Sequence, residues 1–473
     1  MLFSSMIFLW LFLPVVIGGY YLIHILPIGE AKIQVKNYFL LAASLIFYGF
    51  GGIPYLLLML LVIGADYAAG FFVAADGIFS KEDWEEKKVL IARRVALVFA
   101  LTVNLGALFI FKYLGMLIDK EIALPIGISF YTFQAISYVA DVYRGKVPVQ
   151  KKISEFALYV SLFPQLIAGP IVQYKDIQEQ LLDRKESVEG FSYGIKRFCY
   201  GLGKKVLIAN TFATVADQIW KQDITLIGAP VAWCGMIAYT IQIYFDFSGY
   251  SDMAIGLGSM FGFHFKENFN YPYTSLSIQE FWRRWHISLS SFFKDYVYIP
   301  LGGSREGAFR TYRNLLIVFA LTGIWHGANY TFWTWGMYYG LILVVERLFL
   351  GKLLQKNPVK LINWVYSLFI VMVGWVIFRS DNLPQAFTFI SKLFAPGKLY
   401  TVLAYVDLKI LVLLPVAFLC SGWMQRALGG VYEKTKDKIP VRILDAAFQM
   451  VLLVASIISV AGGTYNPFIY FQF

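Results

Sequence analysis

The sequence predicts an all-α integral membrane protein, and three observations carry that prediction. Hydrophobic residues make up 58% of the chain and charged residues only 15%, where an average soluble domain is about 25% charged. Apolar runs close to the roughly 20 residues of a bilayer-crossing helix recur through almost its whole length. The lysines and arginines, which give a net charge of +11, lie in short segments between those runs. That placement fits a positive-inside signal and argues against nucleic-acid binding.

The first run, 5–26, holds no acid and no lysine. It lacks the basic region and small-residue cleavage site of a secretory signal, so it reads as a retained first helix. Runs at 37–50 and 53–75 follow, joined by the uncharged turn 51–54. Next come 95–117, 124–141, 155–171 and 206–220, and some of these are too short to cross alone. Segment 227–262 is too long for one straight crossing, and 314–332, 333–350, 361–378, 408–424 and 443–461 complete the set. The expectation is roughly ten to twelve membrane helices, with re-entrant or kinked pieces among them. They form one membrane-embedded domain over 1–473, with no internal repeat and no low-complexity linker.

Charge orients the helices. Basic residues cluster at 81–94, at 144–152, at Arg283, Arg284, Lys294, Arg305, Arg310 and Arg313, and at Lys434, Lys436, Lys438 and Arg442. If these clusters are cytoplasmic, both termini are extracytoplasmic, including the aromatic tail 466–473. Segment 188–206 reads either as an amphipathic helix on the cytoplasmic surface or as a solvated helix end. Cys199, Cys234 and Cys420 lie far apart without metal spacing, so neither a structural disulfide nor a metal site is expected. A P-loop, a dinucleotide-binding glycine motif and H-E-x-x-H are all missing, which removes support for ATP-driven transport and zinc proteolysis.

The informative residues are those that are costly in lipid. Segment 227–262 contains Asp246 and Asp252, each worth roughly 2.5–3.5 kcal/mol against insertion at a helix centre. Beside them lie Tyr244, Ser248, Gly249, Tyr250 and Ser251. Two readings follow: a broken helix lining an aqueous cavity, or a loop in which the acids are simply wet. The segment 268–303 is aromatic, basic and interrupted by Pro272 and Pro300. Its Arg283, Arg284, His286, Ser288 and Lys294 suit a membrane interface, and they also suit a site receiving phosphates from the cytoplasm. His326 stands in a stretch without charge from Asn314 to Val344, beside Gly327 and Ala328. A lone buried imidazole is often a satisfied core residue, but its ordinary pKa near ~6.5 also suits it to take a proton from a hydroxyl.

Several motifs in order then resemble the membrane-bound O-acyltransferase (MBOAT) family: YFDFSGYSDMAIG at 244–256, NFNYPYTSLSIQEFWRRWHISLS at 268–290, YIPLGG at 298–303 and WHGANYTFWTWG at 325–336. SFYTFQAISYVADVYRG at 129–145 and SLFPQLIAGPI at 161–171 are similar to its bacterial branch for alginate and peptidoglycan O-acetylation. The resemblance implies about eleven helices around a central funnel, with interfacial and re-entrant pieces. It implies that His326 is the catalytic histidine and that His286 is a second, more variable polar position. Asp246, Ser248, Tyr250, Asp252 and Asn329 become candidate funnel lining, and Arg283, Arg284 and Lys294 become candidates for the donor's phosphates.

The resemblance further implies a bacterial cytoplasmic-membrane enzyme that takes acetyl from cytoplasmic acetyl-CoA. An extracytoplasmic SGNH-type acetyltransferase or esterase partner then completes O-acetylation of a polysaccharide. The tail 466–473 reads as an aromatic interface anchor. Alternatively, it is similar to the tail of the partner protein in the related D-alanine transfer system, and Tyr470 would then insert towards His326 and carry acetyl as an ester. The competing functions are D-alanyl transfer to teichoic acid, a lipid acyltransferase, and a non-catalytic transporter lined by the intramembrane acids and histidine.

Overall fold

The computed structural model describes residues 1–27, 29–81, 85–118, 122–463 and 465–469. Among them the structure is all-helical, with no strand. Among the described residues, six helices are long and apolar enough to cross a bilayer: Phe8–Ile25, Ile53–Val73, Glu86–Ile118, Lys360–Arg379, Leu408–Thr435 and Ile439–Gly462. Each coincides with a run expected from hydropathy. The last of them leaves Ile443, Leu444, Val451 and Ile458 exposed on the protein alone, as expected of a helix whose apolar surface meets lipid. Other runs form shorter, interior helices. The run at 124–141 is the helix Ile128–Tyr143, 16 residues long and buried at nearly every position. At about 1.5 Å per residue it spans about 24 Å, less than the hydrocarbon core.

The chain divides into two compact units. The first comprises Met1–Phe198 and Ser251–Lys266, and several of its interior polar groups are tied across the fold. Arg184 donates from Nε to Tyr20 Oη at 3.0 Å and to the Phe261 carbonyl at 3.1 Å. Tyr20 and Lys36 both donate to Glu186, at 2.5 and 2.8 Å. Asp66, in the crossing helix Ile53–Val73, accepts from Asn104 Nδ2 at 2.8 and 2.9 Å. Arg197 meets Asp252 at 2.6 and 2.8 Å. Segment 188–206 begins as the helix Val188–Gly203. Within this unit it packs small residue to small residue: a Cβ on Gly194 would come 2.6 Å from the Gly256 carbonyl oxygen.

The second unit comprises Cys199–Tyr250 and Glu267–Phe473. Its Gly201 carbonyl lies where a Cβ on Gly249 would approach to 2.7 Å. Both approaches involve segment 227–262, in which the expected break is absent. The structure has one unbroken helix, Ala229–Met260, of 32 residues, about 48 Å long at 1.5 Å per residue. The reason is electrostatic. Asp252 has Arg197, and Asp246 has Lys205 at 2.7 Å, so neither carboxylate requires the helix to open to water.

Also in the second unit, the helices Ala308–His326 and Tyr330–Val345 form a tight hairpin. Glycines set its spacing: a Cβ on Gly323 would lie 2.4 Å from the Phe332 carbonyl oxygen, and one on Gly336 would lie 2.3 Å from that of Phe319. Both obstacles are backbone, which cannot rotate aside. Gly336→Ala is therefore expected to destabilise the fold by about 1–3 kcal/mol, the usual cost of overpacking. Thermal unfolding in detergent measures this, and an unchanged midpoint would contradict the account.

Candidate active site

His326 is the last residue of Ala308–His326, at the apex of the hairpin. The next helix starts cleanly because Asn329 caps it: its Oδ1 accepts from Thr331 N at 3.1 Å, and its Nδ2 donates to the Asp381 carbonyl at 2.6 Å. The imidazole is 7% exposed. It meets the rings of Trp335 and Phe378 edge to face at 5.1 Å each, and that of Trp325 at 4.8 Å.

His286 arrives from the aromatic, basic segment. The helix Ile278–Arg284 is fixed at its start from three sides. Ser277 accepts from Glu280 N at 3.1 Å, Glu280 accepts from Leu276 N at 2.9 Å, and Glu346 accepts from Ile278 N and Gln279 N at 2.8 and 2.9 Å. The amides of Ile278, Gln279 and Glu280 are orphan donors of the helix N-terminus, and a carboxylate there also meets the positive end of the helix dipole. After Arg284 the chain turns sharply, and His286 adopts the left-handed conformation at φ 44 and ψ 55. A non-glycine residue there is strained. Asn268 holds the turn: its carbonyl accepts from Ile287 N at 3.0 Å, and its Oδ1 accepts from Ser288 N at 3.2 Å and Ser288 Oγ at 2.8 Å.

The same Oδ1 lies 3.1 Å from His286 Nδ1. Because the backbone Ser288 N–H fixes that oxygen as an acceptor, Nδ1 must carry the proton and Nε2 the lone pair. His286 is 1% exposed, and burial pushes its imidazole down to about 3, so it is neutral at physiological pH.

The two histidines line one cavity of about 20 Å³, walled by Phe247, Trp282, Trp285, Leu289, Trp335, Trp375, Phe378, Ile243 and Ile469. That volume admits about one water molecule. Among the described residues the space beside His326 is this small, and one of the groups walling it belongs to the tail, Ile469.

The other candidates are distributed as follows. Asp246 and Tyr250 are buried and touch the tail: Asp246 Oδ2 accepts from Ile469 N at 2.9 Å, and the Tyr250 ring lies 4.7 Å from that of Phe468. Ser248 is buried in the same helix. Asp252 is engaged with Arg197, and Asn329 serves as a helix cap; neither is among the residues lining the cavity. Arg283 and Lys294 are exposed, while Arg284 is half-buried, 2.8 Å from Glu280. None of the three lines the histidine cavity. Tyr470 lies outside the described residues. Among the described residues no group of histidine, cysteine and carboxylate side chains could hold a metal.

Sequence reasoning missed Asn268, Glu346, Lys205 and Ile469. Glu346 carried a signal, an acid ending an apolar run. Lys205 carried another, a lysine followed directly by Val-Leu-Ile-Ala.

The signature of the membrane-bound O-acyltransferase family matches residues 148–379, which include both histidines. Along its whole length the chain is 40% identical to the probable alginate O-acetylase of Pseudomonas putida, covering 100% of each. It is 44% identical to the probable alginate O-acetylase of Pseudomonas aeruginosa over 84% of this chain and 75% of that one. It is 34% identical to the peptidoglycan O-acetyltransferase of Helicobacter pylori over 82% of this chain and 78% of that one.

The buried neutral imidazole of His286 makes stability depend on pH. Its folded value is about 3, whereas an unfolded histidine titrates near ~6.5. The unfolded chain therefore binds the extra proton between these values. The contribution is intact above about 6.5 and is lost progressively as pH falls towards 3. Unfolding midpoints measured from pH 7.5 down to pH 4.5 should fall less steeply in His286→Gln than in the parent. Equal slopes would show that the imidazole is not neutral and buried.

Proposed function

The chain belongs to the membrane-bound O-acyltransferase family, and from that premise we propose that it moves acetyl groups from cytoplasmic acetyl-CoA across the bilayer for O-acetylation of an extracytoplasmic polysaccharide. It is a multi-pass membrane O-acyltransferase. The names of its relatives favour acetyl over D-alanyl as the group moved and leave the transporter reading without support. The observation that carries the proposal is the cavity that His286, His326 and Ile469 line together.

His326 acts as the general base. It takes the proton from an acceptor hydroxyl while that oxygen attacks the thioester carbonyl. The C–S bond then breaks, and the imidazolium returns its proton to the departing thiolate. General-base assistance of this kind is worth about 10²–10⁴-fold. His286, neutral and held by Asn268, presents a lone pair at Nε2 to accept a hydrogen bond from the incoming hydroxyl. Arg283, Arg284 and Lys294 are assigned to the phosphates of the donor; Arg283 and Lys294 are exposed, and Arg284 is half-buried beside Glu280.

With residues 465–469 seated, the cavity has room for about one water. An acceptor carried by the tail itself suits so small a space, and the residue that follows Ile469 is Tyr470. In this reading Tyr470 accepts acetyl as a phenyl ester and passes it, outside the membrane, to an SGNH-type partner. The protein then sits in the bacterial cytoplasmic membrane with both termini extracytoplasmic, on the strength of its basic clusters.

Purified full-length protein supplied with radiolabelled acetyl-CoA tests the proposal. His326→Ala is expected to lower thioester turnover by at least ~10²-fold. Turnover at the parent rate removes His326 as the base. Trapped protein should carry label on a peptide containing Tyr470, and a Tyr470→Phe enzyme with undiminished polymer acetylation would remove the relay.

A further inference from the structure

Lys205 and Asp246 are each 1% exposed, and the proposed acyl transfer uses neither. The lysine follows the helix Val188–Gly203 on the π-helical turn Lys204–Ala209, and the aspartate sits on Ala229–Met260. A buried ion pair can be nothing more than a tie between two helices. The partners of this pair argue for more. Lys205 Nζ forms an ion pair with Asp246 Oδ1 at 2.7 Å and donates to two further partners, Asn210 Oδ1 at 2.9 Å and the Pro467 carbonyl oxygen. The helices supply two of these three partners, and the tail supplies the third.

The carboxylate is divided in the same way. Asp246 Oδ1 faces Lys205, and Oδ2 accepts from Ile469 N–H at 2.9 Å. Between the two contacts, the Phe468 ring lies 4.7 Å from the Tyr250 ring, with Lys205 Nζ 5.8 Å from its centroid. Just before them, Asn210 Nδ2 donates to Asn466 Oδ1 at 3.2 Å. The pair thus holds a carbonyl and an N–H two residues apart on one strand of backbone.

We propose that Lys205 and Asp246 form a peptide-backbone binding site that seats residues 465–469 and so delivers Ile469 into the histidine cavity. The ligand class is a short peptide segment, held by its main chain. Lys205 and Asp246 are positioning residues, since neither lines that cavity. The inference deepens the proposed role of the tail but rests on described contacts alone.

Hydrogen exchange read by mass spectrometry on the full-length protein in detergent tests it. Lys205→Met alone would strand a buried carboxylate and could simply misfold, so the decisive variant is Lys205→Met with Asp246→Leu, which removes both charges together. The Ile469 amide is expected to exchange at least tenfold faster in that variant, while amides of Ala229–Met260 keep the parent rate. Lys205→Arg, which retains the charge, should restore most of the protection. If Ile469 stays protected in the folded double variant, the proposal is overturned. If the amide is released while acetyl transfer continues at the parent rate, the binding site stands and the tail's part in the transfer falls.

Discussion

An ion sealed away from water needs a counter-charge at contact distance, and that requirement decides where the helices of this protein touch. Leaving a buried charge alone costs several kcal/mol even after relaxation. The interior charges are met accordingly: Lys36 by Glu186, Arg197 by Asp252 and Lys205 by Asp246. Glu346 meets the open amides of the helix that leads to His286. Each pairing joins segments distant in sequence, so each also fixes a tertiary contact. The histidines depend on these contacts although neither belongs to them. The helix before His286 is held by Glu346, and the tail segment beside His326 is held by the pair at Lys205.

The outline of the fold was legible because lipid imposes a coarse rule. A crossing helix must be long and apolar, and all six helices that satisfy this rule in the structure coincide with apolar runs. Interior helices obey a different rule. Ile128–Tyr143 is apolar because protein surrounds it, and hydropathy alone does not separate that case from a short crossing. The two acids in 227–262 were misread for a related reason. A one-dimensional reading sees their cost but not the cations some 40 to 55 positions upstream that cancel it, Lys205 and Arg197, and so it predicts a break.

The histidines were legible through the motifs that carry them, yet their surroundings were not. That His286 needs Asn268 follows only from the left-handed turn that brings the two together. That aromatic edges enclose His326 follows from helix packing: Trp335 comes from the other arm of the hairpin and Phe378 from Lys360–Arg379. Such a lining has few polar groups to compete for a proton. Charge created there is poorly screened, which strengthens whatever contacts are positioned to meet it.

The turn Lys204–Ala209 is π-helical, so it carries one residue more than an α-helix would place there. Wound as an α-helix at about 100° per residue, Lys205 and Asn210, five positions apart, would lie about 140° from one another. The wider turn brings them onto one face, where Asn210 Oδ1 accepts from Lys205 Nζ. The grip on the tail thus depends on a backbone winding that neither side chain specifies.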